Sequence, residues 1–211
     1  MDFGLTAAEI KIYKKLNTPQ KIQDFLNQLS IHPSTEDDTA WSPRHVLRHG
    51  KSHCMEGALF AASVLWYHGY EPWLLDLVAH KTDYDHVVVP FQQNGRWGAI
   101  SKSNYSTLRW RDPVYLSVRE LVMSFYHEYY LADGTKSLES FSKPFNLKKF
   151  GKEWITSADS LLYIAESLDK SPHEKVILLI MKKNLRRADK VERLAGDLVV
   201  WQKGKHPRRL V

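Results

Sequence analysis

The chain has 211 residues, 43% apolar and 12% aromatic, which suits one globular domain over 1–211 with a sizeable core. A single cysteine excludes an internal disulfide framework and fits a reducing compartment. The first residues lack the basic start and long apolar centre of a signal peptide, and no stretch approaches the roughly 20 apolar residues of a membrane span, so the expectation is a cytoplasmic protein without a membrane partner. The formal charge of +6 lies in the last fifth, where residues 173–211 carry eleven Lys/Arg against four Asp/Glu. Such a segment could meet nucleic acid or an acidic partner, although the commoner use is a solvated face.

The first 30 residues read as two short helices. Thr6-Ala7-Ala8-Glu9 has capping-box spacing, and Ile10, Tyr13 and Leu16 follow at helical intervals. Thr18-Pro19 starts the second helix, with Ile22, Phe25, Leu26 and Leu29 as its apolar stripe. Residues 31–40 read as an exposed loop, and Ser42-Pro43 opens a short helix that Gly50 ends. A central helix follows, with Ser52 as its expected N-cap and Gly69 as its stop. Its small residues Gly57, Ala58, Ala61 and Ala62 allow close packing.

Three strands are expected next, at 73–79, 86–92 and 96–101, with Asn94-Gly95 as a hairpin turn and Pro90 demanding an edge or a bulge. Ser117 then caps an amphipathic helix running to about Tyr130, and another helix spans about 157–168. The region 172–181 is ambiguous between helix and strand, and Leu198–Trp201 reads as a short strand. The order predicts an α+β fold in which a helix carrying Cys54 packs on an antiparallel sheet. The core is about 42–104, flanked by an N-terminal helical segment (1–30) and a helical, basic C-terminal one (115–211).

Cys54, the lone thiol, stands where a loop becomes a helix, and His86 opens an apolar strand 32 residues later. A helix N-terminus offers partial positive charge and free amides, which favour a thiolate. A histidine facing that thiol could take its proton and return it to a leaving group, and the Cys54 amide could donate to an oxyanion. Around this pair, Trp41 could wall a cleft, although core packing is its commoner use, and Arg44 could bind a substrate carboxylate or Glu56 or be an ordinary surface arginine. Glu56 reads first as a dipole-favoured structural carboxylate and His53 as a capping or surface residue. Tyr126, His127, Tyr129 and Tyr130 read as core plus rim. No HExxH, paired-cysteine, Walker or dinucleotide pattern is present, so no metal and no cofactor are expected.

The segment from Cys54 through MEGALFAASVLWYHGYEPWLLDL to DHVVVPFQQNGRWGAIS resembles the core of the transglutaminase-like superfamily, over roughly 42–104. In that pattern a cysteine caps a helix ending at a glycine, a histidine opens the next strand but one, and a tryptophan begins the following strand with an aspartate four residues on. Cys54, Gly69, His86 and Trp97 match it; the aspartate position holds Ser101 instead. The resemblance implies a papain-like arrangement and acyl transfer, most naturally hydrolysis of a peptide or side-chain amide through a thioester. Ser101 is then the residue expected to orient His86, with Asn104 as the alternative. A serine can accept a ring N–H bond but carries no charge. That departure keeps open a catalytically inactive binding or scaffold module, and the basic C-terminus keeps open a nucleic-acid-associated protein.

Overall fold

The computed structural model describes residues 3–32 and 40–199. Two helices lead: α1 (Ala7–Lys15), closed by the expected Thr6/Glu9 capping box, and α2 (Pro19–Gln28), capped by Thr18. A two-residue strand β1 (Ser30–Ile31) follows; residues 33–39 of the expected loop lie outside the description. Helix α3 (Pro43–His49) is capped by Ser42 and ends at Gly50, whose φ of 62° is a left-handed position that suits glycine. Strand β2 (Lys51–Ser52) pairs parallel with β1 and leads directly into α4 (Cys54–Tyr67).

α4 is the centre of the molecule. Every residue from Met55 to Trp66 is buried, so the helix has no solvent face, and its small residues let the neighbours close in. One side meets the sheet formed by β3 (Trp73–Ala79), β4 (His86–Gln93) and β5 (Arg96–Ile100), through Leu74, Val87, Val89, Phe91 and Ile100. The alternate residues Leu75, Leu77, Val88 and Ala99 point to the opposite face. There they meet Leu121, Val122 and Phe125 of α5 (Val118–Tyr126), which follows β6 (Arg111–Tyr115). β7 (Leu138–Ser142), β8 (Phe145–Asn146), α6 (Leu162–Asp169), β9 (His173–Lys175) and α7 (Lys190–Gly196) complete the described chain. The antiparallel sheet has the order β6-β5-β4-β3-β7-β9, with β8 also on β3. The protein is therefore α+β, with the Cys54 helix packed on an antiparallel sheet, as the sequence pattern predicts.

Several details differ from expectation. α5 stops at Tyr126 rather than Tyr130, because Tyr129 and Tyr130 turn into a hairpin-like loop bridged to Lys136. α6 begins at Leu162, since Ser157 folds locally onto Asp159 instead of capping a helix. The ambiguous 172–181 region divides into β9 and a 3-10 turn from Leu179. Pro90 sits in β4 with Ala99 of β5 opposite, yet β4 pairs with β3 only over His86–Val88, so the proline falls where one side lacks a ladder. Asn94 (φ 52°) and Gly95 (φ 71°) form the expected tight turn. Val199 bridges Tyr105 and the Leu198 carbonyl accepts the Ser106 amide (3.1 Å), while residues 200–201 of the expected terminal strand and the basic end lie outside the described residues. Among the described residues no helix is long and apolar enough to cross a membrane.

Candidate active site

Cys54 is the first residue of α4, and the cap before it is His53, not Ser52. Ser52 is committed to the β1–β2 pair, whose ladder includes His32 N–H donating to the Ser52 carbonyl (3.2 Å). His53 takes the cap because its Nδ1 accepts the Met55 amide (3.2 Å) while Glu56 accepts the His53 amide (3.1 Å), a capping box built on an imidazole.

Cys54 remains partly accessible although protein surrounds its sulfur. Burial raises the thiol pKa, but hydrogen bonds to the thiol from His53 and His86, together with their charges, outweigh it and hold the group well below the ordinary thiol range. His86 is 6% exposed, and its Nε2 lies 2.5 Å from Ser101 Oγ. With Nε2 committed to Ser101, Nδ1 is the ring nitrogen left for the sulfur. Cys54, His86 and Ser101 thus come together from the start of α4, the start of β4 and the residue after β5.

Ser101 is itself held. Gln23 of α2 clamps its backbone, with Nε2 donating to the Ser101 carbonyl and Oε1 accepting the Ser101 amide, both at 2.9 Å. The next residue, Lys102, donates from Nζ to the carbonyls of Leu26 (2.8 Å) and Leu29 (2.6 Å) at the end of α2. Gly57 of α4 faces Lys102 so closely that a β-carbon there would stand 2.5 Å from Lys102 Cβ. Gln23 and Lys102 escape sequence reading because each acts across elements far apart in the chain; Gly57 was legible as a close-packing residue, but not as the neighbour of Lys102.

Other candidates are placed differently. Asn104 does not reach His86; its Oδ1 is buried without a partner. Arg44 is no cleft residue: it forks onto Glu9 of α1 (2.8 and 2.9 Å) and onto the Gly4 carbonyl, tying α3 to the N-terminus. Trp97 stands four residues before Ser101, about 13 Å away along a strand, and packs against Trp73. Trp41 is at the rim, its amide on Glu56 Oε1 (3.1 Å) and its indole stacked on His32 at 3.8 Å. Glu56 is fully buried and structural: besides the cap and Trp41 amides it binds His32 Nδ1 at 3.0 Å. His32 is a site neighbour that the loop reading missed; β1 delivers it. Asp85, before β4, and Tyr129 both have raised pKa values, chiefly from burial, with the Cys54 charge contributing.

His32, His53 and Glu56 bring ligand-type atoms within 4.8 Å of one another. They are a poor cation cage. His53 Nδ1 already accepts the Met55 amide, so in the neutral ring the proton is on Nε2, which then has no lone pair for an ion. A cleft of about 320 Å³ lies away from this site, lined by His80, Lys136, Glu139, Lys182, Arg186 and Arg187. Its cations are engaged: Lys182 with Glu139, Arg186 with Glu192, Arg187 with Asp133.

No protein-family model and no curated protein matches this chain.

Proposed function

We propose that the chain is a cysteine-dependent acyl-transfer enzyme of the transglutaminase-like kind, hydrolysing a peptide or side-chain amide in a reducing compartment such as the cytoplasm. The observation that supports it is the relay from Cys54 through His86 to Ser101, with the sulfur at a helix N-terminus. In this reading His86 Nδ1 takes the thiol proton and the sulfur attacks the carbonyl carbon. The oxyanion faces the free amides at the start of α4. The imidazolium gives its proton to the leaving nitrogen as the C–N bond breaks, leaving a thioester. Water then attacks, His86 accepts its proton, and the acid departs with the thiol restored. Ser101 and the Gln23 clamp keep the imidazole in place throughout.

The uncharged Ser101 favours a second reading, an inactive scaffold with a reactive thiol. Iodoacetamide alkylation followed by peptide mass mapping, across about pH 5–9, tests the shared chemistry. Cys54 should be modified with an inflection well below the ordinary thiol value of about 8.5, and His86→Ala should remove that inflection. A panel of glutamine-containing and amidated peptides, quenched in acid and scanned for an acylated Cys54 that hydroxylamine releases, separates the two readings. An ordinary thiol inflection overturns both, and a reactive thiol that never acylates leaves only the scaffold.

A further inference from the structure

We propose that His45 and His49, one turn apart on α3, form a binding site for a single divalent transition-metal ion, with zinc as the ion of first choice. The site lies outside the Cys54 relay and stands independently of the acyl-transfer reading.

The spacing comes first. Residues four apart lie on one face of a helix, and two histidines so placed are the ligand half of the HExxH arrangement. Here the turn runs His45-Val46-Leu47-Arg48-His49 at the end of α3. The two rings meet, with centres 5.9 Å apart and planes at 49°. With metal–nitrogen bonds of about 2.0–2.1 Å, two imidazoles on one ion have ring centres roughly 5–6 Å apart. The pair therefore needs little side-chain movement to share an ion.

Both rings are also uncommitted. Among the described residues neither makes a hydrogen bond or an ion pair. This sets them apart from His32, His53 and Glu56, whose ligand-type atoms are spent on one another and on the α4 cap. His45 is half-buried, and burial, with His49, Arg48 and Arg44 nearby, holds its pKa below the ordinary imidazole value. It is mostly neutral at pH 7, the form that ligates. His49 is exposed and is the last residue of α3, where the helix dipole places partial negative charge. Its ring leans on Trp41 at 4.7 Å, which limits its rotamers before an ion arrives.

The neighbours set what the site can do. Arg48 is exposed beside the ligands and opposes an ion, while Arg44 is neutralised by its fork on Glu9. Two protein ligands against this repulsion give a modest affinity, with water completing the coordination. Val46 takes the place of the HExxH glutamate and is fully buried, so the pair lacks the general base of that motif. The pair binds an ion without hydrolytic chemistry of its own. A bound ion fixes the last turn of α3 and, through His49, the indole of Trp41 at the rim of the Cys54 site.

The test is calorimetric titration of zinc chloride into the full chain at about pH 7.5, in a Cys54→Ser background so that the thiol cannot take the ion. One ion per chain should bind. His45→Ala and His49→Ala should each weaken binding at least about tenfold, since changes one shell further out already cost ten- to hundredfold. His32→Ala should leave it unchanged. Zinc should raise the thermal unfolding midpoint of the parent and of His32→Ala, but not of the two ligand variants. His49 is exposed, so His49→Ala carries the test even where His45→Ala lowers the metal-free midpoint. Absence of saturable binding, or binding that survives His49→Ala, overturns the site. Loss of binding in His32→Ala alone would put the ion at the Glu56 cluster and overturns it equally.

Discussion

Lys102 makes the most direct test of how the site is held. Its side chain is 5% exposed, and burial, with some repulsion from Arg109, lowers its pKa from 10.5 to about 8. In the unfolded chain the ammonium keeps its ordinary value. Between about pH 8 and 10.5 the unfolded state therefore binds the extra proton, and folded stability rises with pH across that window. Below pH 8 the charge is present in both states and its full burial cost is felt. The difference converts to about 3 kcal/mol, which the site's closeness to the surface, where nearby solvent still screens the charge, trims to about 2 kcal/mol. The measurement is urea unfolding of the parent and Lys102→Met at pH 7 and at about pH 10.5, compared as a difference so that all other titrations cancel. The variant also strips two donors from the Leu26 and Leu29 carbonyls, so its absolute stability at pH 7 is not the readout. The parent should gain about 2 kcal/mol on the variant over that pH rise. A gap that stays constant, or one that moves in the variant's favour, would show that Lys102 is not a charge held against a burial cost.

Other expectations follow from the same geometry. Gly57→Ala drives a methyl to 2.5 Å from Lys102 Cβ; it should cost about 1–3 kcal/mol in urea unfolding despite the better helix propensity, and should slow Cys54 alkylation by displacing Ser101. Asp76 is 3% exposed and burial raises its pKa to about 6, so the parent loses stability as pH rises from 3.8 through 6. Asp76→Asn should be more stable by about 2 kcal/mol at pH 7 and lose that advantage near pH 3.5, checked by unfolding at both. Glu9 is held at about 2 chiefly by its hydrogen bonds to Arg44, so its contribution is present above 4.5 and is lost as pH falls towards 2. Arg44→Ala should cost about 1–2 kcal/mol at pH 7, and thermal melts should show the gap closing in acid.

What could be read from the sequence was what local chemistry dictates. The Thr6, Thr18, Ser42 and Ser117 caps, the Gly50 stop and the Asn94-Gly95 turn are each decided within a few residues, and all are found in the fold. Cys54 and His86 were legible because each opens a well-marked element. The fastening of Ser101 was not, because Gln23 is 78 residues from it and sits on an otherwise ordinary amphipathic helix. Capping was one of two readings of His53, but Ser52 is the stronger capping residue by type, and only the pairing of β2 with β1 removes it from contention. Arg44 was read as a surface arginine or as a partner of a substrate or Glu56, not as Glu9's partner, since that pairing depends on how α3 crosses α1.

The serine at 101 becomes intelligible once the local charges are counted. Asp85 and Tyr129 already feel the Cys54 charge, and burial leaves their anionic forms poorly solvated. A carboxylate at 101 would add another buried negative group about one imidazole away from a sulfur that, in the proposed reaction, must itself become negative. It would raise the cost of the thiolate while strengthening His86 as a base. Serine orients the ring at 2.5 Å without that penalty. The charge compensation is supplied by the α4 N-terminus and by the imidazoles beside the thiol. On this view the relay is built to favour the anion at sulfur, and the third residue needs only to hold a ring in place.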